Sequence, residues 1–287
     1  MPEENSKHPV AMAVAEQVAN AFASLPQVQA VTLAGSRISK FPDSDSDVDV
    51  YVYVTDDVSL HDRTRIAAGS PHAEIGNATW EPGDEWIDAA TGTPVDVMFR
   101  QVWWIEEQLD RVLAQHQASV GYSTCFWYNV GHSRVLFDRT GWFVALQKRA
   151  AVGYPQELRR AIIAKNYPLI RQNQSSYLQQ IELAVKRDDP VSANHRLAAL
   201  LASYFDVLFA VNELPHPGEK RILEHAKATC TKVPVGMERQ VRQLVGSSDG
   251  ELVKRINALV DGLEDLLMQE GLMPGDGDVH TYPPKAG

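Results

Sequence analysis

Val28–Val54 reads VQAVTLAGSRISKFPDSDSDVDVYVYV, and the two ends of this stretch decide the fold. Val28–Ala34 and Val48–Val54 are apolar, β-branched runs of strand length. Gly35-Ser36 follows the first run, and Asp47-Val48-Asp49 opens the second. Residues two apart on a strand share a face, so Asp47 and Asp49 project side by side, roughly 6–7 Å apart. At that distance two carboxylates repel by about 2–3 kcal/mol at an effective dielectric of about 20. A bound cation relieves the repulsion, and hard oxygen donors select magnesium. Gly35 lets the backbone approach an anion, and Ser36 adds a hydroxyl and an N–H. An anion cradle beside a magnesium-binding pair is suited to nucleotide chemistry.

The pattern of glycine-serine, ten residues, then acidic-apolar-acidic resembles the signature of the DNA polymerase β-like nucleotidyltransferase superfamily. The resemblance implies a third carboxylate on a later strand, and Asp96 in Thr93-Pro94-Val95-Asp96-Val97-Met98-Phe99 fills that place. It also implies transfer of a nucleoside monophosphate from a triphosphate, with Asp47, Asp49 and Asp96 as metal ligands. Asp96 would be a ligand, the general base for the acceptor hydroxyl, or both. Gly35, Ser36 and Arg37 would face the phosphates.

Trp80-Glu81-Pro82-Gly83-Asp84-Glu85-Trp86, Val135-Leu136-Phe137-Asp138-Arg139, and Val211-Asn212 through Gly218-Glu219-Lys220-Arg221 carry a second resemblance. They are similar to segments of the bacterial aminoglycoside and lincosamide nucleotidyltransferase group. This implies ATP as donor, AMP as the transferred group and a small-molecule hydroxyl as acceptor, with Lys220 as a phosphate-binding cation. Lys165, on the first helix of the bundle, is a second candidate, and plain surface lysines are the alternative for both. Transfer to a protein or RNA, and a non-catalytic nucleotide sensor, are the rival readings.

Composition bounds these expectations. The chain has 287 residues, a hydrophobic fraction of 44% and a formal net charge of −10. Duplex nucleic acid is disfavoured as a partner, because phosphate contacts call for a basic face. No run of 18 apolar residues suggests a membrane span. The first residues lack the pattern of a secretory leader. Two cysteines, Cys125 and Cys230, are too few for a disulfide framework. A cytoplasmic protein is expected, of undetermined oligomeric state.

The predicted architecture is α/β (α+β). A nucleotidyltransferase core with a small mixed sheet, residues 8–105, precedes a mainly α-helical bundle, residues 106–271, and a disordered tail, 272–287. The core is expected to read helix 8–24, strands 28–34 and 48–54, helix 59–68 leading into 73–80, a turn at 81–84 and strand 94–99. Helices are expected on one side of its sheet. Helical patterns follow at 102–115, 141–151, 155–186, 190–212, 220–228 and 251–269, with a β-rich insertion at 121–138. Pro168 is expected to kink or split its helix. Asp189-Pro190 and Ser248–Glu251 read as helix starts and Gly271 as a stop. Asp43 and Asp45 read as turn residues, and Arg37 and Lys40 as cations of the phosphate loop. The tryptophans Trp80, Trp86, Trp103 and Trp104 read as core. Glu74, Glu81, Asp84 and Glu85 read as an acidic face, with binding of an amine-bearing acceptor as the alternative.

Overall fold

The computed structural model describes residues 4–35, 47–78, 81–246 and 251–275, with side chains of the first helix from Pro9 onward. The chain divides into two compact units. The first ends at Asp110 and takes up Asn129–Val152 again; the second holds Arg111–Tyr128 and the chain from Gly153 onward.

In the first unit, helix α1 (Glu4–Ala23) leads into strand β1 (Val28–Leu33) and then strand β2 (Val48–Val54). Helix α2 (Leu60–Ile66) is followed by β3 (Glu74–Asn77), β4 (Gly83–Ile87) and β5 (Pro94–Gln101). Helix α3 (Val102–Leu113), which belongs to this unit up to Asp110, starts directly where β5 ends, and helix α4 (Cys125–His132), which belongs to it from Asn129, strand β6 (Arg134–Asp138) and helix α5 (Trp142–Ala150) follow. The six strands lie in the order β3-β4-β5-β2-β1-β6. β2 and β5 run parallel and the other pairs antiparallel, so the sheet is mixed, as the sequence predicts.

Period-2 alternation sorts the two faces. Val48, Val50, Val52 and Val54 of β2 pack with Val95 and Val97 of β5 into one core. Val14, Val18 and Phe22 of α1 complete that core, with Phe22 meeting Phe99 edge-on. Fully burying one such side chain contributes roughly 1.5–3 kcal/mol. Tyr51 and Tyr53 point to the opposite face, where Tyr53 meets Trp142 and Phe143 of α5. Helices therefore cover both faces, and not one as expected. Arg139, between β6 and α5, donates from Nη2 to the carbonyls of Ala23 and Leu25 and so satisfies the end of α1.

Two local expectations are corrected. Glu81–Asp84 is not a turn, because β4 begins at Gly83. A Cβ at Gly83 would lie 2.8 Å from the Val97 carbonyl, so the glycine marks close strand approach. The β-rich insertion at 121–138 is instead helix α4 followed by β6, which joins the sheet through β1. Aromatic and β-branched residues favour strands only where the packing offers a pleated surface.

In the second unit, helix α6 (Gln156–Tyr167) runs into a π-helical turn at Pro168–Gln172. Helices α7 (Tyr177–Lys186), α8 (Pro190–Val211), α9 (Ile222–Thr229), α10 (Met237–Val245) and α11 (Leu252–Gln269) follow. Pro168 lacks the N–H that the helical ladder needs, and the predicted split occurs there. Arg171 of the π turn holds Asp261 and Glu264 of α11. Asp189 caps α8 by accepting from Ser192 N–H at 3.0 Å. Gly271, at φ 64°, follows α11 in the left-handed conformation that a helix stop uses. Residues 248–250 of the expected start of α11, and the tail from 276, lie outside the described residues. No helix among the described residues is long and apolar enough to cross a membrane.

Candidate active site

Asp49 sits on β2 directly beside Asp96 on β5, in parallel register. Directly opposed residues on neighbouring strands share a face, so both carboxylates leave the sheet on the Tyr51 side. Asp47, just ahead of β2, has the same parity and is exposed, whereas Asp49 and Asp96 are half-buried. Helix α2 and strands β3 and β4 separate Asp49 from Asp96 in the chain, and the sheet makes them neighbours.

Gly35 explains its own residue type. The backbone of Asp49 is fixed by Ala34 N–H donating to its carbonyl at 2.9 Å. Gly35 comes next at φ +72°, and a Cβ there would run into the Asp49 carboxylate. A glycine is needed both for the left-handed backbone and for the space above Asp49.

The electrostatics of Asp96 follow from this placement. Its carboxyl is pushed up to about 6, first by burial and then by Asp49, Glu85, Asp47 and Glu81. Glu85 of β4 lies opposite Asp96, and Glu74 of β3 lies opposite Glu85. A transverse row of four carboxylates, Glu74, Glu85, Asp96 and Asp49, thus crosses β3, β4, β5 and β2 on one face. Asn77 donates to Glu85 at 3.1 Å within that row. Among the described residues no three His, Cys, Asp or Glu side chains converge into a ready-made metal cage. The row nonetheless supplies the hard anionic oxygens that magnesium takes, in the number that one or two ions with bound water require.

The acidic stretch 81–85 separates into three environments. Glu85 joins the row. Glu81 holds Arg100 of β5 through two hydrogen bonds of 2.9 Å each. Arg100 shares the face of Asp96, stacks 3.8 Å over the Tyr51 ring and is buried. Burial also pushes the Tyr53 phenol up to about 12. Asp84 turns to the other face, fully buried, where Arg63 of α2 grips it at 2.6–3.1 Å and Gly76 N–H donates at 2.8 Å. Sequence reading did not single out Arg100, although its even spacing from Asp96 was the available signal.

The remaining expected residues are distributed as follows. Ser36, Arg37, Lys40, Asp43, Asp45 and Trp80 lie outside the described residues. Lys165 on α6 and Lys220, just ahead of α9, are exposed side chains of the second unit. Trp86 is core, Trp104 lies 5.8 Å from the Arg100 guanidinium, and Trp103 is 61% exposed. Core is therefore right for Trp86 and wrong for Trp103, whose position on α3 faces solvent. Cys125 and Cys230 are free thiols, and burial pushes the Cys230 thiol up to about 11.

A family model for a domain of unknown function, DUF4037, matches residues 127–221. No curated protein matches this chain. Among solved structures, a nucleotidyltransferase-like protein from Exiguobacterium sibiricum 255-15 is similar over 88% of this chain and 72% of that one. The two share 14% sequence identity, with a TM-score of 0.42.

Proposed function

We propose that the protein is a magnesium-dependent nucleotidyltransferase that moves AMP from ATP onto a hydroxyl of a small molecule, of the aminoglycoside or lincosamide kind. The observation that carries this reading is the in-register pairing of Asp49 and Asp96, with Gly35 held against Asp49 by its missing side chain.

In the proposed reaction the acceptor oxygen attacks the α-phosphorus, the bond to the bridging oxygen breaks, and pyrophosphate leaves. The acceptor proton would pass to Asp96, the carboxylate paired in register with Asp49. Asp47, Asp49 and Asp96 would hold magnesium, which supplies charge neutralisation for the attacking and leaving oxygens when bound. Gly35, Ser36 and Arg37 would face the phosphates. Glu85, beside Asp96 in the carboxylate row, would border the acceptor.

The test is pyrophosphate release from each ribonucleoside triphosphate with magnesium, against a panel of aminoglycosides and lincosamides. Release that needs both ATP and an acceptor, and that falls at least about 10³-fold in Asp49→Asn and Asp96→Asn, is the expected result. Undiminished release in the variants would remove the mechanism. Magnesium-dependent ATP binding without release on any acceptor in the panel would remove the small-molecule reading.

A further inference from the structure

Asp206 is the one acid in a stretch of α8, residues 203–211, that is buried throughout. Its surface is 1% exposed. The groups that hold it are neutral donors: Ser123 N–H at 3.0 Å, Ser123 Oγ at 2.6 Å and Asn166 Nδ2 of α6 at 3.1 Å. No cation among the described residues acts on it, and burial pushes its carboxyl up to about 7 against the pull of these hydrogen bonds.

The surroundings do not supply the missing charge. Tyr122, Cys125 and Tyr154 are the titratable groups that feel Asp206, and burial pushes all three up, so each is neutral at pH 7. Glu219, the other charge acting on Tyr122 and Cys125, is an anion. His216, which donates its N–H to Thr124, is held neutral at about 4 by burial and His225. Arg159 of α6 is engaged by Glu213 and the Val211 carbonyl. Helix α7 buries Leu178, Ile181 and Ala184, and the π turn buries Pro168 and Ile170 while its Arg171 is committed to α11.

The hydrogen bonds fit both protonation states of Asp206. Ser123 Oγ accepts from Ser119 N–H at 2.9 Å and has two acceptors in range, Asp206 Oδ2 and the Ser119 carbonyl at 3.3 Å. With Asp206 ionised, the serine hydroxyl donates to it. With Asp206 protonated, the carboxyl O–H donates to Ser123 Oγ, and the serine proton turns to the Ser119 carbonyl.

What Asp206 holds is strained. Gly121 at φ 71° and Tyr122 at φ 54° are consecutive left-handed residues, a conformation that a tyrosine keeps only when its surroundings impose it. Asn166 braces the same segment, accepting from Gly121 N–H at 2.8 Å and donating to the Ser119 carbonyl at 2.9 Å. A Cβ on Gly121 would lie 3.1 Å from Ala202 of α8, so the segment sits close on that helix.

We propose that Asp206 and Ser123 form a proton-operated latch within the second unit: protonated Asp206 keeps the segment 119–124 closed on α6 and α8, and loss of that proton loosens it. The closed carboxyl stands above the 3.8 of a solvated aspartate, so closing takes up a proton. Its contribution to closure is fully present below about pH 3.8 and is lost as pH rises through about 7.

The test is amide hydrogen exchange on the full-length protein from about pH 5 to about pH 8, with each rate divided by its intrinsic value at that pH. The reporters are Gly121 and Ser123, whose N–H groups donate to Asn166 and Asp206. In the parent, their protection should fall about 10-fold per pH unit up to about pH 7 and then level off. In Asp206→Asn that fall should vanish, while Ala34 of the first unit keeps one pH profile in both proteins. Protection that does not change with pH in the parent overturns the latch. The same fall in Asp206→Asn assigns it to another group and also overturns it. So does a change at Ala34 as large as at the reporters, since the carboxyl would then act on the whole fold. If Asp206→Asn does not fold, Ser123→Ala decides: without the serine donor the carboxylate is held less well, and the levelling point should move to higher pH. An unmoved levelling point overturns the role of Ser123 and the latch with it.

Discussion

Asp84 and Glu85 are neighbours on one strand, and the two faces of the sheet treat them in opposite ways. Asp84 enters the core, where Arg63 grips both of its oxygens and Gly76 adds a backbone donor. Glu85 faces the other way, opposite Asp96, among carboxylates that raise the Asp96 carboxyl. On the first face a buried charge is matched within the fold and serves cohesion. On the second, like charges are gathered at a cost to the fold, which is the arrangement expected where a ligand brings the opposite charge.

The comparison can be broken most directly at Arg63. Arg63→Met leaves Asp84 as a buried charge without its counter-ion and should destabilise the fold by about 3–5 kcal/mol in denaturant unfolding. Turnover per folded molecule should be unaffected, since Arg63 serves the core face. Lost turnover in a fully folded Arg63→Met sample would mean that the two faces are not separate in role.

Gly35→Ala tests the other face. The substitution combines a left-handed backbone, which costs about 1–2 kcal/mol for a non-glycine residue, with a collision at the Asp49 carboxylate. Transfer should fall by at least about 10-fold with a modest loss of melting temperature. Full activity would show that Asp49 can move aside without consequence.

The smallest effect concerns pH. The Asp96 carboxyl is raised from 3.8 to about 6, so the folded state binds that proton more tightly than the unfolded chain. The associated stability is fully present below about pH 3.8 and is lost as pH rises through about 6. With a chelator present, Asp96→Asn should therefore melt above the parent at pH 7, and the gap should close as pH falls toward 4. A gap that stays constant with pH would detach Asp96 from this electrostatic account.

Much of this was legible in the sequence, because the informative signals are local. Val48–Val54 alternates over a strand's length and coincides with β2, and the proline at 168 splits its helix where the ladder lacks a donor. Helix α10 was legible and overlooked, since Met237, Val241 and Leu244 repeat at helical spacing and are all buried. What stayed hidden depends on partners remote in sequence. Nothing local separates Asp84 from Glu85 until strand parity and Arg63 are known. The entry of β6 into the sheet depends on pairing with β1, more than a hundred residues earlier, and no motif signals it.

The parallel pairing of β2 with β5 also bears on how the molecule is made. Helix α2 and strands β3 and β4 lie between β2 and β5 in the chain, so this contact closes a long loop and pays its entropy before any pairing is gained. Docking also pushes Asp96 against Asp49. The step that creates the site is thus opposed twice, by chain entropy and by charge. Acid or a divalent cation should hasten it.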